Sequence, residues 1–351
     1  VTMQLIIGAA LASVALTIPL PSFFRYTLAI FWLMAFSSAT HDIAADGFYM
    51  LALPQHQQAA FVGVRSTFYR FAMLTGQGLL VVLAGTIETR TGGNIRFAWS
   101  VTFGVLAVLF TLFFIYHRFI LPYPATDKPT LDNASRSMLQ EFFRTFGLFF
   151  KKKGILATLA FLLFYRFAEA QLVKLVSPFL LDARDKGGLG LTTSEVGIVY
   201  GTVGIIALTL GGLLGGYVVS KKGLKFWLWI MVCSIHLPDA MFVYLSQAQP
   251  TNFILISLAV SIEQFGYGFG FTAYMLYMIM VSEGEHKTAH YAICTGFMAL
   301  GMMVPGMFTG AIQDLVGYQH FFLWVILSTI PGFAVAALVK VDPEFGKKKE
   351  Q

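Results

Sequence analysis

Charge is what this chain has least of. Asp, Glu, Lys and Arg make up 12% of its 351 residues, against roughly 25% in soluble domains, while apolar residues reach 57%. The mean hydropathy is +0.71, and a water-soluble fold has no way to hide that much apolar surface. Cysteine is scarce as well. Cys233 and Cys294 both lie inside apolar stretches, which argues against a disulfide framework and leaves them as small packing residues. No G-x-x-x-x-G-K-[ST] phosphate loop is present, so ATP-driven work would need a separate ATPase and the expected energy source is an ion gradient. His41 and His236 belong to no cluster with metal-ligand spacing; hydrogen-bonded histidines are expected there, with no metal and no cofactor. From Val1 the chain runs straight into an apolar segment without a basic leader region, so a removable signal peptide is not expected.

What is present is a series of long apolar runs. They begin near residues 3, 26, 61, 97, 155, 193, 226, 252, 290 and 319, each about 18 to 28 residues long, enough to cross a hydrocarbon layer of about 30 Å as a helix. Polar or helix-stopping clusters such as Pro19 to Ser22, Pro54 to Gln58 and Thr91 to Asn94 bound them. The fold class is therefore an all-α polytopic membrane protein embedded in a lipid bilayer.

Basic residues orient it. The connections on the side of the C-terminal tail carry Lys340, Lys347 to Lys349, Lys287, Lys221, Lys222, Lys225, Arg65, Arg118, Lys128, Arg136, Arg144 and Lys151 to Lys153. The opposite side has only Arg25, Arg90, Arg96, Arg184 and Lys186. The positive-inside rule puts the basic side, with both chain ends, in the cytoplasm. The same distribution explains the net charge of +6 without a nucleic-acid partner. One connection, about 118 to 153, is long and hydrophilic and ends in an amphipathic stretch from Met138 to Phe150. It divides the chain into a partial N-terminal bundle over 1–121, a cytoplasmic linker over 122–153, a C-terminal six-helix bundle over 154–342 and a basic tail over 343–351. Glycines four apart, Gly211 with Gly215, Gly212 with Gly216 and Gly306 with Gly310, line helix faces and imply close packing in lipid.

Ionisable residues inside the spans are the functional signal, because each costs about 3 kcal/mol or more at the bilayer centre. Asp42 and Asp46 lie four apart on one face of the second span, and Arg65 and Arg70 follow in the third. A rise of about 1.5 Å per residue puts Asp46, Arg70 and Asp42 about 12, 15 and 18 Å deep, so Arg70 falls between the two carboxylates and an interhelical pair is expected. That pair serves a transport path or merely clamps two helices. Arg166, Glu169 and Lys174 share the fifth span, His236 and Asp239 the seventh, and Glu263 the eighth. Charges of both signs suit a polar, multiply charged solute better than a hydrocarbon. Arg166 and Glu169 also allow an intrahelical pair. Glu263 has no local partner; it and the Asp42/Asp46 acids are candidates for carrying a coupled proton, against the alternative of a carboxylate satisfied by a neighbouring helix. Gly266, Gly268 and Gly270 beside Glu263 are read as loosening its helix.

The segments SATHDIAADGFYMLAL and GVRSTFYRFAMLTGQGL resemble the fourth and fifth helices of AmpG-type muropeptide permeases and the related acetyl-coenzyme A transporters, within the major facilitator superfamily. VGIVYGTVGIIALTLGGLLGGYVVSKKGLK is similar to their eighth helix with its following loop, and KTAHYAICTGFMALGMMVPGMFTG to their eleventh. The resemblance implies a twelve-helix fold in which the ten spans would be helices three to twelve. The family's basic loop motif survives in its second-half form as Gly216 to Lys225, with Ser220 where an acid is usual. It further implies that helices one, four, seven and ten line a central cavity, which would bring Asp42, Asp46, Arg166, Glu169, Lys174 and Glu263 to the path, with Tyr49, Tyr165, Tyr267 and Tyr274 available to stack on sugar rings. The implied function is import of a cell-wall-derived sugar-peptide across the bacterial inner membrane by a monomeric proton symporter with alternating access. A siderophore permease is the near alternative. A membrane-embedded acyltransferase is a remote one, because no nucleophile, base and orienter stand at useful spacing.

Overall fold

In the computed structural model, residues 1–124 and 138–348 are described, apart from some side chains that include Arg70. Every element among them is helical: α1 (Thr2–Thr17), α2 (Phe23–Ala52), α3 (Gln55–Leu74), α4 (Leu80–Arg90), α5 (Ile95–Ile120), α6 (Met138–Phe150), α7 (Ile155–Phe164), α8 (Phe167–Leu181), α9 (Thr193–Val196), α10 (Ile205–Lys222), α11 (Leu224–His236), α12 (Ala240–Ala248), α13 (Phe253–Ser282), α14 (Lys287–Leu327) and α15 (Ile330–Leu338). Several are joined end to end. A π turn at Thr75–Leu79 links α3 to α4, another at Gly197–Gly204 links α9 to α10, and a 3-10 turn at Leu237–Asp239 links α11 to α12.

Seven helical runs among the described residues are long and apolar enough to cross a membrane: Phe23–Ala52, Ile95–Ile120, Ile155–Leu181, Gly197–Lys222, Leu224–Ala248, Phe253–Ser282 and Lys287–Leu338. Thr2–Thr17 is apolar but only 16 residues long. The expected span from about residue 61 is not among the seven, because its helix carries Arg65 and Arg70 and opens on the polar run Gln55-His56-Gln57-Gln58. Lys287–Leu338, 52 residues long, merges the runs expected at about 290 and 319. Gly317 interrupts it with φ 72° and ψ 166°, a conformation that glycine adopts without strain.

The contact pattern divides the chain into two units: Val1–Ala52 with Phe68–Thr130, and Leu53–Thr67 with Leu131–Gln351. In the first, α1 packs against α2 and α5. The Gln4 side-chain amide meets His117 Nδ1 at 2.8 Å, and Asn94 caps α5 by accepting from the Phe97 amide at 3.1 Å.

In the second unit, α13 is the hub, with α10 and α11 against it and α14 alongside. Glycine makes these approaches possible. A Cβ on Gly211 would run into the Phe265 carbonyl of α13, and one on Gly268 into the Leu208 carbonyl of α10. Gly266 and Gly270 face the other way, toward Ser234, Met231 and Ile235 of α11. The glycines of α13 therefore seat two neighbouring backbones rather than loosen their own helix. Gly212 and Gly216, on the second face of α10, receive Gly63, Ala59 and Ala60 of α3. Such contacts matter in lipid, where burial of apolar surface gives no driving force between helices and van der Waals approach has to supply it. The amphipathic stretch forms α6 as expected, with Thr145 and Phe149 buried and Phe142, Phe143 and Phe150 exposed. Just beyond it, Lys152 Nζ donates to the carbonyls of Val281 (2.5 Å) and Glu283 (3.0 Å), where α13 ends. Partial burial lowers the pKa of this ammonium.

Candidate functional site: a buried acid cluster

Two breaks in the second unit position its charges. The run Ile155–Leu181 is interrupted at Arg166, whose φ −108° and ψ 21° leave the helix for one residue before α8 restarts. The run Leu224–Ala248 is interrupted at Leu237–Asp239, where Pro238 removes a backbone donor and α12 restarts from Asp239. Glu169 thus lies in the first turn of α8, and Asp239 at the start of α12. Both acids face the positive end of a helix dipole, which helps explain how carboxylates are tolerated at this depth.

The two acids converge with Glu263 from the middle of α13. Glu169, Asp239 and Glu263 each place a carboxylate oxygen within 4.8 Å of the other two, and they are only 1%, 1% and 2% exposed. Glu263 accepts from the Gln264 amide at 2.9 Å. Both oxygens of Asp239 lack a hydrogen-bond partner. Glu263, expected to have no local partner, accepts from its neighbour Gln264 and is one of three acids in a single cluster.

Arg166 is directed toward aromatic side chains of α13. Its guanidinium donates to the Tyr267 hydroxyl and lies over the rings of Phe271 and Tyr267, 4.5 and 5.3 Å from their centroids. That arrangement, with Arg166 8% exposed, uses cation–π attraction where water is excluded. Tyr165 and Tyr274 are fully buried. The Tyr165 hydroxyl donates to the Gly270 carbonyl (2.9 Å) and that of Tyr274 to the Leu162 carbonyl (2.6 Å). Their rings stack on each other at 5.4 Å, and Tyr274 stacks on Phe161 while Tyr165 tilts against it, so both rings serve packing between α7 and α13. Tyr267 is half-buried and Lys174 exposed. His236 departs from expectation. It is buried, but neither ring nitrogen has a hydrogen-bond partner, because the ring is wedged between Tyr165 and Phe333 and against the Cα of Gly332.

The candidates of the first unit are less enclosed. Asp42 is exposed and sits 3.9 Å from His41 Nδ1, while Asp46 and Tyr49 are half-buried on the same helix. Arg65, half-buried on α3, belongs to the second unit. The Arg70 side chain lies outside the described residues, so the pair expected with Asp42 or Asp46 stays a proposal. A groove of about 350 Å³ between α1 and α5, lined by Leu5, Ala9, Ala12, Val108 and Leu112, is almost wholly apolar, and the hydroxyl of its Thr111 already donates to the Ala107 carbonyl at 2.8 Å, so it offers little to orient a polar solute.

Relatives are consistent with this picture. The chain is 26% identical over 319 residues to "Putative transporter AmpG 4" of Rickettsia conorii, covering 91% of this chain and 72% of that protein. It is 23% identical over 324 residues to "Anhydromuropeptide permease" of Escherichia coli K12, covering 92% of this chain and 61% of that one. Two crystal structures of the transporter FucP, one titled as that of Escherichia coli, share its fold. One, titled as the fucose:proton symporter, has a TM-score of 0.62 at 13% identity, covering 97% of this chain and 85% of its own. The other, titled as being in the outward conformation, has a TM-score of 0.65 at 16% identity, covering 97% and 84%. Residues 2–286 match the Major Facilitator Superfamily model, and with apolar helices that carry charges at their centres, the chain, similar to AmpG-type permeases, belongs to that superfamily and is a transporter rather than an enzyme.

Proposed function

We propose that the chain imports a cell-wall-derived sugar-peptide into a bacterial cytoplasm through the inner membrane, by alternating access and in symport with protons. The observation that carries this reading is the likeness to the anhydromuropeptide permease across 92% of the chain. The distribution of charge agrees with it. Sugar-peptides carry carboxylates, amines and hydroxyls, and a membrane interior offering acids on α2, α8, α12 and α13 together with Arg166 suits a solute of that kind better than an apolar one. Asp42 and Asp46 of α2 take the proton, with Arg70 of α3 as their counter-charge. Both chain ends are cytoplasmic, and the functional unit is a monomer.

Counterflow tests the substrate. Proteoliposomes preloaded with unlabelled anhydromuropeptide should take up the labelled compound transiently above the equilibrium level, and a panel of siderophores in the lumen should not support that overshoot. Overshoot driven by a siderophore, with none driven by anhydromuropeptide, would replace this reading with an iron-chelate permease.

A further inference from the structure

The cluster of Glu169, Asp239 and Glu263 is built from residues far apart in sequence, each on a separate helix, so no ligand spacing marks it. We propose that it is a binding site for a hard metal cation with bonds of calcium or sodium length, a role that goes beyond solute import. Three observations support it. The donors are all carboxylate oxygens within 4.8 Å of one another. Oxygens no farther apart than this leave a point within about 2.8 Å of all three, close to the 2.3–2.6 Å bonds of calcium, and magnesium, which gives up its water reluctantly, suits a site this dry less well. Asp239 is 1% exposed and both its oxygens lack a partner, although a buried carboxylate ordinarily has hydrogen bonds or a cation. The charge sum also points to a cation: among the described residues the three acids are accompanied by one buried guanidinium, that of Arg166, one turn before Glu169, so a divalent ion would bring the group to neutrality and a monovalent one would leave a single negative charge. An all-oxygen donor set selects such ions over zinc or copper, which favour nitrogen and sulfur.

Calorimetric titration of the purified full chain with calcium, sodium and magnesium chlorides, after chelator treatment and without organic solute, tests the site. Calcium or sodium should bind saturably at one ion per chain and raise the unfolding midpoint, with magnesium at least tenfold weaker. Asp239→Asn and Glu263→Gln should each weaken binding at least tenfold, while Asp314→Asn, at an exposed acid on α14, should not. Absence of saturable binding for all three salts, or equal binding by the cluster variants, overturns the proposal. If the variants fail to fold, the unmodified protein decides. Calcium or sodium should protect Asp239 and Glu263 from modification by an apolar carbodiimide, and a modification rate indifferent to every metal means that the acids hold protons only. Because no solute is present, failure here leaves the import reading standing, and failure of counterflow leaves this one.

Discussion

The two units handle the same problem, charge inside an apolar helix, in different ways. In the first, the apolar window of α2 is only 6% buried within the chain, and Asp42 on it is exposed. In the second, the windows of Ile155–Leu181 and Phe253–Ser282 are both 56% buried, and their acids are closed in with Asp239. An exposed acid on a helix face is available to a solute or a counter-charge brought from elsewhere. A buried cluster fixed by two helix breaks is preorganised and pays its desolvation cost in advance. The contrast agrees with the proposed division of roles, in which the acids of α2 carry the proton and the cluster holds a cation.

The largest expected effect concerns how tightly each unit is packed. Gly268→Ala pushes a methyl group into the Leu208 carbonyl and should cost about 1–3 kcal/mol. Gly104→Ala, at a helical site with nothing within 4 Å, should gain up to about 1 kcal/mol through helix propensity. Thermal unfolding in detergent reads both, and equal effects would erase the packing difference. Next is the cluster itself. In metal-free buffer, Asp239→Asn removes one like charge from a buried group of three and should stabilise the chain by about 1 kcal/mol or more, while Asp42→Asn should leave the unfolding midpoint unchanged. A lowered midpoint in Asp239→Asn would show that the cluster is already compensated.

Smaller still, Tyr274→Phe takes the hydroxyl from the buried Leu162 carbonyl and should cost about 1 kcal/mol. Ser13→Ala in the first unit, whose hydroxyl bonds the Ala9 carbonyl at an exposed site, should cost less than about 0.5 kcal/mol. The smallest effect is at the start of α9. Glu195 accepts from the amide and hydroxyl of Thr192, both at 2.8 Å, which holds its pKa below the ordinary value of 4.5. A carboxyl group lowered in the folded state stabilises at pH above its unfolded value, and that contribution disappears as pH falls through the folded value. Glu195→Gln should therefore flatten a slight acid destabilisation below about pH 4.5 in the melting profile, and an unchanged profile removes the cap from the account.

Some of this was legible in the sequence. The apolar runs, the amphipathic α6 and the boundary before α5 at Asn94 follow from local patterns whose physics is complete within a few residues. The glycine pairs of α10 announced close packing, although not that one face receives α13 and the other α3. Pro238 signals a break in Leu224–Ala248, but Arg166 breaks Ile155–Leu181 with no proline or glycine beside it. Glu263 read alone looks solitary because its companions lie 94 positions before it and 24 before it, at Glu169 and Asp239. Only the tertiary fold brings them together. His236 misled for a related reason: sequence shows a polar ring, and the aromatic walls that leave it unbonded come from α7 and α15.

The central claim is gradient-driven import, and accumulation in vesicles tests it most directly. Proteoliposomes with an imposed inward proton gradient should concentrate labelled anhydromuropeptide above the external level, lose the accumulation when a protonophore is added, and lose it in Asp46→Asn while Asp314→Asn retains it. Accumulation that persists with the gradient collapsed, or none above protein-free vesicles, would contradict the account.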